Sequence, residues 1–297
     1  MFLLVGGTGL LGSRIAERLA SRGIPFRALV RPGTDPSHLE GLGAEIIRGD
    51  MRAPPSLISA TEGADAVIST ANALARVLAR GTDMTLRDVD DVGNANLIRA
   101  ADEAGAQRFV FLSFPERILA TPTPFGNAKI ATERRLRNAK LREVIVRPDM
   151  YQEVWLSPLV QFDWPKRSVT IFGKGEARHA YVAADDVADA VVRWAVADDP
   201  PRVVEFGGPE RLTRKEAVDA FERALGERIR RRHVLRAALR IGSYALRRLN
   251  PALASVMGQA LAADLADSRE DDVPLRALGI TPKPVSRYIE EVTARSQ

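Results

Sequence analysis

Gly6, Gly7, Gly9 and Gly12 constrain what this chain can fold into more than any other feature of its sequence. They read as G-x-G-x-x-G through Gly7, Gly9 and Gly12, and as G-x-x-G-x-x-G through Gly6, Gly9 and Gly12. An apolar run, residues 1–5, precedes them; after them Leu11, Ile15 and Leu19 recur every fourth residue and stop ahead of Gly23. That pattern is strand, tight turn and amphipathic helix, with a glycine just past the helix end. Glycines at such a turn permit the tight bend, the approach of backbone to a pyrophosphate and the close packing of helix on strand. The leading amide groups of the helix then receive phosphates, helped by the positive end of the helix dipole. The loop therefore predicts a dinucleotide site, against the plainer reading of a simple tight turn. The residue that reads the ribose is expected about 20 positions further on, where an arginine accommodates a 2′-phosphate. Arg31 stands there, directly after Val30. NADP, as NADPH, is the expected cofactor and NAD the alternative, since Arg31 also reads as one more surface arginine and Asp35 lies close enough to serve a ribose hydroxyl.

Short apolar segments follow at 26–30, 44–47, 66–69, 108–112 and 144–146, separated by helical or turn-rich sequence. Residues 89–104 carry Val92, Asn96, Leu97 and Ala100 on one face, and 128–139 read as a helix after the Pro-rich stretch 115–124. Strands alternating with helices predict a parallel sheet with helices on both sides. The expected class is α/β: a Rossmann-type doubly wound parallel sheet with a smaller C-terminal substrate region. The expected division is 1–150 for the dinucleotide domain and 151–297 for a sheet extension and cap, intertwined with the first part. In the second part a Trp-containing segment is predicted at 151–160, strands at 169–172 and 203–206, and a helix at 186–197. Thr213 and Glu216 form a capping box for a further helix carrying Val218, Phe221 and Leu225.

Composition narrows the function classes. The 297 residues are 45% hydrophobic and 27% charged, the balance of a packed globular protein. With no cysteine there is no disulfide framework, thiolate metal site or cysteine nucleophile, and with only three histidines no metal constellation is predicted. The net charge of +5 is too diffuse to imply a nucleic-acid partner. A strand opening at the first residues leaves no room for a leader, so the cytoplasm is the expected location. No apolar run reaches the roughly 18 residues of a membrane span, so any membrane contact is expected to be peripheral.

In order along the chain, Val5-Gly6-Gly7-Thr8-Gly9-Leu10-Leu11-Gly12, Arg27-Ala28-Leu29-Val30-Arg31, Gly49-Asp50 and Arg108-Phe109-Val110-Phe111-Leu112-Ser113 are followed by Arg147-Pro148, Glu153 and Trp155, then Asp185-Asp186-Val187-Ala188 and Gly207-Gly208-Pro209-Glu210. Over roughly residues 1–225 this series resembles the atypical branch of the short-chain dehydrogenase/reductase superfamily, the NmrA-like and triphenylmethane-reductase-like NAD(P)-binding proteins. The resemblance implies cofactor contacts from Gly6, Gly7, Thr8, Gly9, Leu10, Leu11, Gly12 and Arg31. It puts Asp50 at the adenine, Ser69, Thr70, Ala71 and Asn72 beside the ribose and nicotinamide, and Ser113, Lys129 and Pro148 in the same site. For Asp50 a helix or turn cap is the plainer reading.

Reducing members of the superfamily use Ser and Tyr-x-x-x-Lys, and the matching segment here is Phe125-Gly126-Asn127-Ala128-Lys129. Phenylalanine has no hydroxyl with which to protonate an alkoxide. Lys129 remains the candidate catalytic residue, with an exposed helix lysine as its plainer reading. A quinone, azo or triphenylmethane dye takes a hydride into a delocalised product that water can protonate, so positioning counts more than acid catalysis. The implied activity is NADPH-dependent reduction of a conjugated small-molecule acceptor such as a quinone or dye. The alternative is a non-catalytic NAD(P)-sensing regulator of the NmrA type, which the lost tyrosine keeps open. Phe125, Tyr151, Trp155, His179 and Tyr181 are the candidate substrate residues, and Phe162, Trp164 and Phe172 extend either an aromatic wall or a core.

Residues 228–249 are basic, with Arg230, Arg231 and Arg232 in a row and Leu235, Leu239, Leu246 and Leu249 on one predicted helical stripe flanked by Arg236, Arg240 and Arg247. Two readings stay open for this helix: leucines packed on the domain with solvated arginines, or peripheral contact with an anionic membrane.

Overall fold

The computed structural model describes residues 1–79 and 84–295. Its chain divides into two compact units whose segments interleave: one holds 1–113, 124–147 and 187–204, the other 114–123, 148–186 and 205–297.

The first unit is built on a seven-stranded sheet. Strands β1 (Phe2–Val5), β2 (Phe26–Val30), β3 (Glu45–Arg48), β4 (Ala66–Ser69), β5 (Arg108–Leu112) and β6 (Arg142–Pro148) lie in the order β3-β2-β1-β4-β5-β6, with the strand Val203–Phe206 beyond β6. Every pairing from β3 to β6 is parallel. This is the doubly wound order, in which the chain reverses direction across the sheet beside β1. Both sides are covered, so the strands are apolar throughout rather than alternating. On one side Leu3, Val5, Val67, Phe109 and Phe111 pack against Leu57, Leu97, Ile98 and Leu136 from three helices. The intervening residues Leu4, Ala28, Ile68 and Val110 are equally buried and face the other way. Helix α1 (Leu10–Ser21) covers that side with Ile15 and Leu19, and Arg18 and Arg22 tie it to Asp189.

The sequence places most of these elements within one or two residues. The predicted helix 89–104 departs from expectation: it opens as a wide π-helical turn, Arg87–Gly93, before the regular helix Asn94–Glu103. Part of the Pro-rich stretch is also helical, since the helix Pro124–Arg137 takes a proline at its start.

The second unit gathers around its own core. Phe162 and Trp164 each have ring centroids 5.3 Å from that of Phe221, and Leu156, Tyr181, Val218 and Ile289 complete the cluster. Phe162 and Trp164 are therefore core residues and not part of an aromatic wall. The segment 114–123 is held in this unit by Arg117, which pairs with the buried carboxylates Asp149 and Glu270. The capping box is present: Glu216 N–H donates to Thr213 Oγ1 at 3.0 Å and Thr213 N–H to Glu216 Oε2 at 2.8 Å, opening the helix Arg214–Leu225.

Residues 228–249 are not one helix. Arg230–Val234 is a strand paired in parallel with Ser168–Phe172, and only Arg236–Ala245 is helical. Pairing with a neighbouring strand, which local periodicity does not report, overrides the helical reading. The leucine stripe is broken accordingly: Leu239 is buried, Leu246 is half-buried, and Leu235 and Leu249 are exposed.

Candidate functional site

The glycine turn joins β1 to α1. Gly6 has φ +90°, a conformation that side chains other than glycine rarely adopt, and its carbonyl accepts from Gly9 N–H at 3.0 Å. A Cβ on Gly12 would lie 2.0 Å from Gly6 O, so only glycine lets the first turn of the helix close on the loop. Gly9 is the N-cap position of helix α1, with no side-chain cap, and the helix has no acidic residue in its first turn. Its leading amide groups are thus left for an external acceptor.

Beside this turn a cleft opens at the carboxyl ends of β1, β2 and β4. Of the predicted cofactor residues, Gly6, Thr8, Gly9, Arg31, Asp50, Thr70, Ala71 and Asn72 line it. Arg31 Nη1 lies 2.8 Å from Met84 Sδ. Arg48 Nη1 braces the strand end carrying Arg31, donating to Arg31 O at 3.2 Å and Thr34 O at 2.7 Å. Asp50 receives Arg52 Nε at 3.1 Å and Arg52 Nη2 at 2.9 Å; burial works to raise its pKa, and the bonds and charge of Arg52 outweigh this and hold it below the ordinary carboxylate range. Arg76, on the helix Leu74–Ala79 that follows the Thr70–Ala73 loop, is a second basic wall residue that the sequence did not single out.

Gly7, Leu10, Leu11, Gly12, Ser69, Ser113 and Lys129 are not among the lining residues. Gly7 and Gly12 shape the turn instead. Ser69, Ser113 and Lys129 enter a buried polar network in the same unit. Ser113 Oγ donates to Glu133 Oε1 at 2.6 Å, and Arg147 grips the same carboxylate with Nε at 3.0 Å and Nη2 at 2.6 Å. Lys129 Nζ donates to Leu112 O at 2.8 Å and lies 4.7 Å and 5.3 Å from the ring centroids of Phe111 and Phe125. Phe125 thus presents a π face to the ammonium where a hydroxyl was the family expectation. Lys129 is buried and is not the exposed lysine of the plainer reading; burial lowers its pKa, against the charges of Asp90 and Glu133.

Asp90 was missed by the sequence. It is fully buried in the π-helical turn, accepts from Ala73 N–H at 3.0 Å through Oδ2, and its Oδ1 has no hydrogen-bond partner among the described residues. Asn94 Nδ2 donates to Asp90 O at 3.1 Å and Asn94 Oδ1 accepts from Ser69 Oγ at 3.1 Å. Burial pushes the Asp90 carboxyl up to about 6 despite the nearby Lys129 charge. The sequence offered only a carboxylate inside a predicted helix; the π-helical widening around it, a feature that often marks functional segments, is seen in the structure alone.

In the second unit Trp155, His179 and Tyr181, three of the predicted substrate residues, line one small cavity with Phe172 and Arg214. It has room for about one water molecule. His179 Nδ1 is buried without a partner, and burial, followed by the charges of Arg117 and Arg214, lowers its pKa to about 3, so the ring is neutral. Burial raises the Tyr181 hydroxyl to about 12. Arg214 spends its donors on three carbonyls, Thr170, Trp155 and Val160, at 2.8–3.1 Å. Tyr151 is not part of this cavity; it starts the helix Gln152–Trp155 and bridges to Val182. Pro148, the last residue of β6, falls in the second unit. Among the described residues no group of three His, Asp or Glu side chains could hold a metal ion.

A protein-family profile described as NAD(P)H-binding matches residues 6–199. The chain is 30% identical to the photosystem II assembly factor Ycf39 of Synechocystis sp., over 99% of this chain and 90% of that protein. It is 25% identical to the NAD(P)H azoreductase of Xenophilus azovorans, over 77% of this chain and 76% of that enzyme. Its fold superposes on an NADPH-dependent quinone oxidoreductase of Escherichia coli complexed with NADPH, with TM-score 0.74, 19% identity, and 98% and 99% of the two chains covered. The uncapped helix start, the space enforced at Gly12 and the cleft walls of Arg31 and Asp50 fit such a dinucleotide.

Proposed function

The chain belongs to the NAD(P)H-binding family, and from that premise we propose that it is an NADPH-dependent reductase of a conjugated small-molecule acceptor such as a quinone or dye. The observation that carries this reading is the Phe125–Lys129 pair. Where a reductase of simple ketones needs a hydroxyl to protonate an alkoxide, this chain offers an aromatic ring packed against a buried ammonium. Ser113, the other hydroxyl of that constellation, is committed to Glu133. An acceptor whose reduced form is a delocalised, weakly basic anion needs no such donor. The reduced nicotinamide supplies the hydride when bound. The backbone amides of α1 hold the pyrophosphate, Arg31 meets the 2′-phosphate, and Asp90 fixes the loop after β4 through Ala73 N–H. Lys129 acts as a positioning residue, its charge set between Asp90 and Glu133. The likeness to the azoreductase supports an acceptor of this class.

The same two observations, a missing phenol and an engaged serine, favour a second reading in which the dinucleotide is bound and sensed without turnover. The experiment is the purified protein with NADPH and a panel of quinones and dyes, followed by the absorbance of the reduced nicotinamide. Acceptor-dependent oxidation that Lys129→Ala lowers by roughly 10-fold or more supports the reductase. Tight NADPH binding with no oxidation by any acceptor rejects it in favour of the sensor.

A further inference from the structure

Among the described residues, the helix Arg236–Ala245 buries one of its sides. Leu239 and Ser243 are buried toward the helix Pro251–Leu265, and the two helices approach so closely at Gly242 that a Cβ there would meet Met257 Cε at 2.2 Å. The opposite side carries Ala237, Arg240, Ile241, Tyr244 and Ala245, all exposed, which helical spacing gathers on one face. Ile241 is 67% and Tyr244 73% exposed, and Leu235 before the helix and Leu249 after it are 70% and 85% exposed. Large apolar side chains grouped in this way, with charge at their margin, mark a surface that meets something.

Charge identifies what it meets. From Arg228 to Ala263 the chain contains eight arginines and no aspartate or glutamate. Arg231 is paired with Asp219 and Glu222, and Arg236 with Asp264, but Arg240 and Arg248 have no acidic partner among the described residues. A convex helical face with apolar side chains at its centre, a tyrosine suited to the headgroup level and unpaired arginines beside it has the chemistry of a helix lying in a membrane interface. No described helix is long and apolar enough to cross a bilayer, so such contact is peripheral.

We infer that the outward face of the helix Arg236–Ala245, with Leu235, Arg248 and Leu249 at its ends, docks on an anionic lipid bilayer. The docking is independent of the dinucleotide cleft, which belongs to the other unit. The test is flotation of the full chain with vesicles of phosphatidylcholine, with and without phosphatidylserine. The protein floats with the anionic vesicles, and added salt releases it. Arg240→Ser with Arg248→Ser lowers partitioning by about 5-fold per arginine removed. Ile241→Ser with Tyr244→Ser lowers it further while leaving NADPH binding intact, since both side chains are exposed. Equal flotation with both vesicle types, or none with either, overturns the proposal. So does a concentration-dependent dimer in sedimentation that Ile241→Ser with Tyr244→Ser abolishes without vesicle binding by the parent, which would assign the face to a second copy.

Discussion

At Phe125 the absence of one hydroxyl changes what the neighbouring lysine can do. A tyrosine there would take the Lys129 charge into a hydrogen-bonded relay, whereas the ring only shields the ammonium and leaves it to Leu112 O and two buried carboxylates. That substitution was visible in the sequence, as were the glycines, because each is a statement about one residue in a fixed local frame. Asp90 and Glu133 were not, since a buried carboxylate is defined by partners on other elements, Ala73 17 positions before Asp90 and Arg147 on β6 14 positions after Glu133, which no local pattern announces. Arg31 belongs with the glycines: its distance from Gly12 pointed to the ribose end of the site, and it lines the cleft. If it receives the 2′-phosphate, Arg31→Asp removes a charge-assisted pair and adds a repulsion. NADPH affinity should then fall by about 100-fold and NADH affinity by less than about 3-fold, measured by calorimetry. Equal losses for both coenzymes would remove Arg31 from the site.

Elements were legible where their ends carry chemistry. Strands β2, β4 and β5 are bounded by the residues that their apolar runs predict, and the helix Arg214–Leu225 starts at the Thr213–Glu216 box. Replacing Thr213 by alanine leaves Glu216 N–H without its acceptor. It should cost about 1 kcal/mol and lower the melting temperature by about 2–4 °C, read by thermal denaturation. Where an element is set by what it pairs with, sequence reading failed. Arg230–Val234 has an arginine-rich composition and no strong strand signal, yet its backbone pairs with Ser168–Phe172 and Arg231 finds Asp219 and Glu222 from there. For the aromatic residues after β6 the sequence offered a wall or a core: Phe162 packs tilted against Phe221 and Trp164 stacks on it, some 60 positions further along. The core alternative holds, through a long-range contact that their clustering in sequence does not report.

Across the whole molecule the buried titratable groups oppose one another in acid. His179 in the second unit is held neutral down to about pH 3 against an ordinary value of 6.5, so between those limits the folded chain binds fewer protons than the unfolded one. Stability therefore falls as pH drops from 6.5 toward 3. Asp90 in the first unit has its carboxyl raised from 3.8 to about 6, so between those values the folded chain binds more protons, and this contribution falls as pH rises from 3.8 to 6. In the overlap the two slopes have opposite sign, and each is at most about 1.4 kcal/mol per pH unit. His179→Gln should leave the Asp90 slope exposed, making the variant lose less stability than the parent on acidification from pH 6.5 to 4. Asp90→Asn should do the reverse and steepen the loss. Urea midpoints of parent and variants at matched pH values isolate each group, because all other carboxylates cancel in the difference. Superimposable pH profiles for the three proteins would mean that neither site is as dry as its burial implies. For Asp90 that result would also undo its place as a fixed brace behind the loop Thr70–Ala73, since a hydrated carboxylate would be free to leave Ala73 N–H.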